Sequence, residues 1–376
     1  MARLLFVVND PAFFVSHRLS IALEACRRGW DVHVAGAGEA PREVLEGGMT
    51  FHAVNLSRSG MNPFAELRAI WGLVRLFRKV RPDLVHLITI KPYLYGGIAA
   101  RVARVPAVVS AVAGMGAVFI RQDLRARVLR GALYPLYRLA FGHPRQRAIF
   151  QNPDDRSILE RWGVMDGEKA RAIRGSGVDL SRYPARPEDP GTPVVAFAAR
   201  LLRDKGIVEL IGAARLLKER GVEARFWVIG NADPGNPATV TEQELDAWRD
   251  EGIVELVGYR TDIPGLFGQA HIVCLPSYRE GLPKTLVEAA AAGRAVVTTD
   301  VPGCRDAIEP GKSGVLVPVR DAEALADALQ RLIENPEERR AMGRAGRELA
   351  EREFAIEKIV HAHMAIYDEL LDGVER

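Results

Sequence analysis

Several features that mark other protein classes are scarce in this sequence of 376 residues. Three cysteines, Cys26, Cys274 and Cys304, stand far apart, so neither a disulfide framework nor a cysteine metal site is expected, which suits a reducing compartment. The longest uncharged stretch, residues 105–120, contains proline and glycine and is too short to span a membrane. The N-terminal residues hold too few apolar side chains for a signal-peptide core. These absences predict a cytoplasmic protein whose membrane association, where present, is peripheral.

Two motifs of nucleotide and metal binding are also missing. No Gly-x-Gly-x-x-Gly follows the first predicted strand, where Asn9-Asp10-Pro11 would crowd a pyrophosphate, and this argues against a dinucleotide-dependent dehydrogenase. No Asp-x-Asp pair stands at a suitable position, so we expect neither a divalent metal nor a bound cofactor. Nucleic acid is not an expected partner.

Apolar runs predict two α/β domains. A chain of this length exceeds the size at which one hydrophobic core keeps growing. Strand-like and helix-like stretches alternate along both halves, the pattern of doubly wound parallel sheets with helices on both faces. Strands are predicted near residues 4–8, 31–35, 84–88, 107–112 and 148–151, and then near Val194, Phe226, Val254, Ile272, Ala295 and Val315. Four prolines between residues 183 and 193 cannot continue a helix or a central strand, so a linker is predicted at 181–193 between domains 1–180 and 194–352.

The most informative segment runs from Ser277 to Ala290 and places Glu280 and Glu288 eight positions apart across a strand-to-helix turn. Pro283 is predicted at the first helical position, where the amides of the helix start form an anion site. Two glutamates beside that anion suit a ligand with hydroxyls on both sides of a phosphate, such as a sugar nucleotide. The alternative is that Glu280 only stabilises the helix dipole and Glu288 is a solvated helix residue.

Two cations occupy a second helix start. Arg200 and Lys205 follow the predicted strand at Val194 and precede a predicted helix over residues 207–219. Positive charge is unfavourable at that end of a helix unless an anion lies between the cations and the amides. The arrangement therefore predicts a bound diphosphate.

Together these motifs carry a family resemblance. Arg-x4-Lys-Gly after a strand, followed by Glu-Gly-x-Pro and Glu-x7-Glu, resembles the retaining glycosyltransferases of family 4, which have the GT-B fold of two Rossmann-like domains facing across a cleft. More narrowly, the chain resembles bacterial hexosaminyltransferases that extend undecaprenyl-diphosphate-linked sugars. The residues that carry the narrower resemblance are Ser57–Phe64, Gly114-Met115-Gly116 with Phe119 and Gln122, Gly177-Val178-Asp179 and Pro302-Gly303-Cys304.

The resemblance implies a UDP-sugar donor, with N-acetylgalactosamine favoured, a polyprenyl-diphosphate-linked acceptor, and a C-terminal helix within 353–376 that returns to the first domain. It assigns the catalytic role to Arg200, Lys205 and Glu280, and nucleotide-sugar binding to Glu288, Gly281, Leu282, Pro283, Gly114 and Gly116. Asn9 and His17 are the expected acceptor contacts, although a surface histidine and glycines that serve turns alone are the simpler interpretations. Ala113 stands where many members of the family have a histidine that contacts the sugar.

The expected mechanism follows from the lack of a convincing carboxylate nucleophile in the loops of the first domain. Double displacement needs a carboxylate behind the anomeric carbon, and Asp10 is expected to shape a turn instead. Front-face substitution is therefore expected, with the leaving phosphate accepting the proton. A nucleotide-sugar 2-epimerase of the same fold and a non-catalytic sugar-nucleotide sensor remain alternatives; the epimerase would turn over the donor without an acceptor.

Positive charge is concentrated in the first half of the chain. Residues 1–175 contain 26 Lys and Arg against 14 Asp and Glu, a formal +12, whereas residues 176–376 contain 25 against 34, a formal −9. Within 121–147, seven arginines and one acid are interleaved with leucine, tyrosine and phenylalanine. Such a segment predicts docking of the first domain on the anionic inner face of the plasma membrane. The alternative is a solvated basic helix whose leucines pack into their own domain, with a soluble acceptor.

Overall fold

The computed structural model describes residues 1–56, 63–115, 119 and 124–372. The chain divides into two compact units: Met1–Ser176 with Glu357–Arg376, and Gly177–Ile356. Residues 177–180, which the sequence assigned to the first domain, fall in the second unit because Val178 forms a parallel bridge with Ala355. The segment 353–356 belongs to the second unit for the same reason.

The first unit contains a seven-stranded parallel sheet, whose strands are β1 Arg3–Val7, β2 Asp31–Gly36, β3 Thr50–Ala53, β4 Leu84–Ile88, β5 Ala107–Val112, β6 Gln146–Phe150 and β7 Ala170–Ala172. The strand order is β3-β2-β1-β4-β5-β6-β7. Residues 3–7 of β1 alternate between two apolar cores, with Leu5 and Val7 in one and Leu4 and Phe6 in the other, as a sheet covered on both faces requires. Edge strands β3 and β7 were not predicted.

Helices cover both faces of this sheet, and local signals fix several of their starts. Asn152 caps one helix by accepting from the amide of Asp155 at 2.8 Å, and Asp10 caps another by accepting from the amide of Ala12 at 3.0 Å, so Asp10 shapes its turn as predicted. The helices described in this unit are Pro11–His17, Leu19–Arg27, Arg42–Glu46, Pro63–Val80, Gly97–Ala103, Leu124–Phe141 and Pro153–Arg161.

The last helix, Ile356–Leu371, contributes to the first unit from residue 357 onward. Tyr367 is fully buried, and its hydroxyl lies 2.5 Å from Nδ1 of His86 on β4. Asp368 pairs with Arg28 at 3.0 Å, and Glu369 pairs with Arg147 at 2.5 Å. Apolar packing and ion pairs thus join this helix to the first sheet.

The second unit repeats the architecture with a six-stranded parallel sheet, whose strands are β8 Val194–Ala198, β9 Arg225–Ile229, β10 Glu255–Gly258, β11 Ile272–Leu275, β12 Ala295–Thr299 and β13 Gly314–Val317. The strand order is β10-β9-β8-β11-β12-β13. The helices of this unit include Ile207–Glu219, Glu242–Glu251, Ile263–Gln269, Lys284–Ala291, Ala322–Glu334 and Pro336–Leu349. The strand order reverses between β8 and β11, which is where open α/β sheets bind ligands.

Candidate active site

The predicted donor residues lie in loops that follow the two strands flanking this reversal. Arg200 and Lys205 follow β8, and Glu280 follows β11. A backbone hydrogen bond from the amide of Tyr278 to the carbonyl of Asp204, 2.9 Å long, joins the two loops. The parallel sheet therefore brings together residues that are far apart in the sequence.

Lys205 and Glu280 form an ion pair between these loops. The Lys205 ammonium donates to Oε1 of Glu280, and the same oxygen accepts from the Ser277 hydroxyl at 2.7 Å. Both side chains are largely shielded, with 23% exposure for Lys205 and 12% for Glu280. The pair is thus a fixed feature of the site, whereas the sequence interpretation gave the two residues separate partners.

Close packing around Glu280 depends on two glycines. At Gly303, with φ of +82°, an added Cβ would lie 2.5 Å from the Glu280 carbonyl oxygen. At Gly206, with φ of +76°, it would lie 2.1 Å from the carbonyl oxygen of Pro276. Both positions need glycine for conformation and for space. Cys304, the residue after Gly303, is buried, and burial raises the pKa of its thiol to about 12, so it is a neutral packing residue.

Arg200 and Glu288 line one cavity of about 230 Å³ at the same edge of the sheet. Arg200 pairs with Asp233 at 2.5 Å, so its guanidinium is also held by a carboxylate. Asn231 and Tyr259 line the cavity too, and the Asn231 carboxamide oxygen accepts from the Tyr259 amide at 3.1 Å. The cavity thus offers a cation, a carboxylate and an amide at one opening.

Glu288 is held inside its helix by two neighbours. Its Oε1 lies 3.5 Å from the Lys284 ammonium, one turn earlier. The buried Tyr183 is the other neighbour, and the pKa of its hydroxyl is raised by burial, by the negative charge of Glu288 and by the hydrogen bond to that carboxylate. With 13% exposure, Glu288 is not the solvated helix residue of the simpler interpretation.

The start of that helix corrects one prediction. Pro283 is the N-cap, with φ −71° and ψ 122°, and the first helical residue is Lys284. The Pro283 carbonyl accepts from the amides of Leu286 and Val287, as the carbonyl of an N-cap residue does, so these two amides are engaged within the helix. Gly281 and Leu282 are buried in the preceding turn.

In the first unit, the expected acceptor residue Asn9 also lies at a reversal of strand order. It follows β1, and its Oδ1 accepts from the Thr89 hydroxyl, which follows β4, at 2.9 Å. β1 and β4 are the neighbours at which the strand order reverses. Gly114 follows β5 and has a φ of +126°, a backbone conformation that glycine adopts readily and other residues rarely do. Gly116 and the segment 57–62 lie outside the described residues.

His17, the second expected acceptor contact, lies at the end of a helix. It ends the helix Pro11–His17, because Arg18 leaves helical geometry with φ −135° and ψ −10°. Its ring stacks on Phe13 at 3.9 Å between centroids, and its Nδ1 lies 2.7 Å from the Ser16 hydroxyl. A role in acceptor binding would thus use the C-terminal end of this helix.

Several side chains of the basic segment 121–147 are engaged in contacts within the first unit. Arg145 donates to the carbonyls of Leu370 and Asp372, Arg147 pairs with Glu369, and the aromatic rings of Tyr137 and Phe141 are buried. Leu124 and Val128 remain exposed at 72% and 66%. Residues 121–123 lie outside the described part of the chain. Among the described residues, no helix combines the length and apolarity needed to cross a membrane.

Two family models match most of the chain. The model described as glycosyl transferases group 1 matches residues 183–349, and the model described as glycosyl transferase 4-like matches residues 3–152. The chain is a glycosyltransferase. All four charged residues predicted to bind the donor lie in the first matched range of this glycosyltransferase, and Asn9, His17 and Gly114 lie in the second.

Relatives of this glycosyltransferase match it over nearly its whole length. One is the N,N'-diacetylbacillosaminyl-diphospho-undecaprenol α-1,3-N-acetylgalactosaminyltransferase of Campylobacter jejuni, 27% identical, covering 89% of this chain and 90% of the relative. Another is the capsular polysaccharide biosynthesis glycosyltransferase CapM of Staphylococcus aureus, 23% identical, covering 93% and 92%.

A solved structure, HepE from Anabaena in complex with UDP and glucose, shares the fold of this glycosyltransferase. The TM-score is 0.78 at 18% identity, with 98% of this chain and 100% of that chain covered. The predicted GT-B fold class is confirmed. These similarities give no support to the epimerase alternative.

Sequence reasoning missed four residues that line the cavity of this glycosyltransferase or contact the predicted donor residues: Asn231, Asp233, Tyr259 and Tyr183. Asn231 had a usable signal, since Gly230-Asn231 follows β9 directly, just as Ala199-Arg200 follows β8. Tyr259 had the same kind of signal, because it follows the edge strand β10 directly. Asp233 lies farther along its loop, and Tyr183 lies in the proline-rich segment, where no periodic pattern marks a buried side chain.

Proposed function

We propose that the chain is a retaining, metal-independent glycosyltransferase that moves N-acetylgalactosamine from UDP to a polyprenyl-diphosphate-linked saccharide. The observation that carries this proposal is the convergence of Arg200, Lys205, Glu280 and Glu288 at the reversal of strand order in the second unit. The donor and acceptor are inferred from the Campylobacter jejuni relative.

The two cations are suited to a diphosphate. In the proposed complex, Arg200 turns from Asp233, and Lys205 from Glu280, towards the phosphate oxygens. Charge-assisted hydrogen bonds to phosphate stabilise the negative charge that develops as the diphosphate leaves. Because the positive charge comes from the protein, we propose that no divalent metal or other cofactor is needed.

Glu280 and Glu288 would hold the two ends of the donor. The Ser277 hydroxyl donates to Oε1 of Glu280 and keeps that contact when Lys205 turns to the phosphate, so Oε2 is the atom directed to the sugar hydroxyls. Glu288 lines the cavity with Arg200, which suits a carboxylate that accepts from the ribose diol. Asn231 and Tyr259 would then lie on the nucleobase side of the cavity.

The proposed reaction is a front-face substitution. An acceptor hydroxyl oxygen forms a bond to the anomeric carbon on the face from which UDP departs, and the bond from that carbon to the β-phosphate oxygen breaks. The hydroxyl proton passes to the departing phosphate oxygen, so the products are UDP and the extended saccharide with the anomeric configuration retained. Arg200 and Lys205 stabilise the departing group, and Glu280 orients the sugar.

The acceptor places the reaction at a membrane. A polyprenyl chain stays in the bilayer, so we propose that the first unit works peripherally at the cytoplasmic face of the plasma membrane. The formal +12 of residues 1–175 and the exposed Leu124 and Val128 support docking on anionic lipid.

Ligand-dependent thermal unfolding with UDP, GDP and ADP, followed by turnover of the UDP-sugars, tests the donor. A nucleotide at a hundred times its Kd adds about 2.7 kcal/mol to stability, which is readily measured. We expect UDP to stabilise the protein, UDP-N-acetylgalactosamine to react only with a polyprenyl-diphosphate saccharide present, and turnover to persist in excess EDTA. Stabilisation by GDP alone would reject the UDP donor. Donor turnover without acceptor would favour an epimerase, and inversion of the anomeric centre, read by NMR, would reject the mechanism.

A further inference from the structure

One helix of the first unit, Pro63–Val80, presents an apolar and basic face to solvent. Phe64, Leu67 and Trp71 are exposed at 85%, 54% and 49%. They recur at intervals of three and four residues, and the same face continues through Arg75 and Arg78. The opposite face, with Leu73, Val74 and Phe77, is buried in the core of the first unit.

Charge on this face is of one sign. Arg68, Arg75, Arg78 and Lys79 are all exposed, and within the described residues none of them lies at ion-pair distance from a carboxylate. The acid of this helix, Glu66, lies away from that face and pairs with Lys91 at 2.7 Å. Apolar residues occupy the first half of the face, and most of the cations occupy the second half.

The apolar half lies at the functional edge of the sheet. In a parallel α/β sheet, a helix between two strands runs opposite to them, so the start of Pro63–Val80 lies near the carboxyl ends of the strands. Leu124–Phe141 packs into the same core, and its exposed Leu124 and Val128 also lie in its first turns. Asn9 and Gly114 occupy this same edge.

We infer that the face formed by Leu67, Arg68, Trp71, Arg75 and Arg78 is a docking surface for an anionic lipid bilayer. Leu67 and Trp71 would enter the interface between head groups and acyl chains, and the arginines would contact lipid phosphates. Tryptophan is favoured at that depth, and cations next to apolar side chains match a negatively charged membrane. This inference rests on the proposed lipid-linked acceptor, because such a surface beside Asn9 would bring the acceptor edge to the bilayer.

Vesicle flotation of the full chain tests the surface, with phosphatidylcholine vesicles that contain or lack phosphatidylglycerol. We expect the wild type to bind anionic vesicles and to be released by high salt. Leu67→Glu with Trp71→Glu, and separately Arg75→Glu with Arg78→Glu, should each lower partitioning about tenfold. Leu45→Glu is the matched control, because Leu45 is an exposed apolar residue, at 57%, on another helix of the same unit. It should bind like the wild type.

Trp71→Phe provides a second readout. It keeps an aromatic side chain, so binding should persist, but quenching of tryptophan fluorescence by lipids brominated in the acyl chain should fall. Every variant should keep the far-UV circular dichroism and the unfolding temperature of the wild type, which excludes misfolding of the first unit. Stabilisation by UDP should also be unchanged, because the proposed donor site lies in the second unit. Unchanged vesicle binding by both double variants, or quenching that survives in Trp71→Phe, would overturn the inference. Normal lipid docking without any transfer to a polyprenyl-diphosphate saccharide would instead count against the proposed function alone.

Discussion

The Lys205 ammonium donates to the Glu280 carboxylate, so the residue expected to bind phosphate and the residue expected to orient the sugar are partners in one ion pair. Glu280 is held further by the Ser277 hydroxyl and by its own amide, which donates to the Pro302 carbonyl at 3.2 Å. A substitution at either end therefore alters the other. The consequences for binding and for turnover nevertheless differ, because only Lys205 should contact the diphosphate.

Glu280→Gln should lower kcat by about 100-fold, because the amide replaces a charged oxygen that orients the sugar. Affinity for UDP should stay equal or rise, since the Lys205 ammonium is then released from its carboxylate. Turnover and calorimetric titration with UDP measure the two effects. Glu251→Gln removes a comparable ion pair with Arg215 on the surface of the same unit and should leave both values unchanged. Wild-type turnover in Glu280→Gln would remove this residue from the site.

Arg200 and Asp233 should give opposite results. Arg200→Ala is expected to weaken UDP binding about tenfold, because a charge-assisted hydrogen bond to the diphosphate is lost. It should lower kcat/KM as well, since the diphosphate is bound in both the ground state and the transition state. Asp233→Asn should tighten UDP binding, because it releases the guanidinium that the carboxylate now holds at 2.5 Å. Weaker binding in both variants would show that Asp233 positions Arg200 for the ligand rather than competing with it.

Glu288 should determine recognition of the ribose. The wild type is expected to bind UDP about tenfold more tightly than 2′-deoxy-UDP, because a buried carboxylate that loses its donor is left unsatisfied. Glu288→Gln should reduce that preference, and Tyr183→Phe should reduce it less, since the Tyr183 phenol acts through Glu288. Competition binding with the two nucleotides gives the ratio directly. Equal preference in wild type and Glu288→Gln would place the ribose elsewhere.

Much of the fold could be predicted because central parallel strands are continuous apolar runs. The central strands β4 and β5 were placed to the residue. β3 and β7 were missed because Thr50–Ala53 and Ala170–Ala172 are short edge strands with few apolar side chains. Their pairing depends on neighbours that a local pattern does not contain.

The candidate site, like the fold, could be predicted in part from the sequence. Arg200, Lys205 and Glu280 were identifiable because each follows a strand at a position where parallel sheets bind ligands. Their partners were not, since Lys205 and Glu280 are 75 positions apart and Arg200 and Asp233 are 33 apart. Because the partners are far apart in the sequence, a local pattern does not show which carboxylate pairs with which cation. The same limit applies to the basic segment 121–147, whose Arg145 and Arg147 contact the last helix.

A buried histidine should make stability depend on pH. Burial, and then the charge of Arg18, lower the pKa of His363 to about 3, while its Nδ1 lies 2.8 Å from the Ile359 carbonyl and its ring lies near His86 and Tyr367. The unfolded chain binds a proton near pH 6.5 and the folded chain does not, so stability falls as the pH drops from about 6.5 towards 3, by about 2 kcal/mol at pH 5. The pKa of His86 is lowered in the same direction by burial, by His363 and by Arg18.

His363→Leu should therefore flatten the change in denaturation midpoint between pH 7 and pH 5, whatever its effect at pH 7. His361→Leu, on the exposed side of the same helix, is the matched control and should keep the wild-type slope. The change in midpoint between pH 7 and pH 5 is the decisive quantity. A lost packing contact shifts the midpoint equally at both pH values, whereas removing a histidine that binds a proton only in the unfolded chain shifts it by different amounts. An unchanged slope in His363→Leu would mean that His86 and the carboxylates account for the acid sensitivity of this unit.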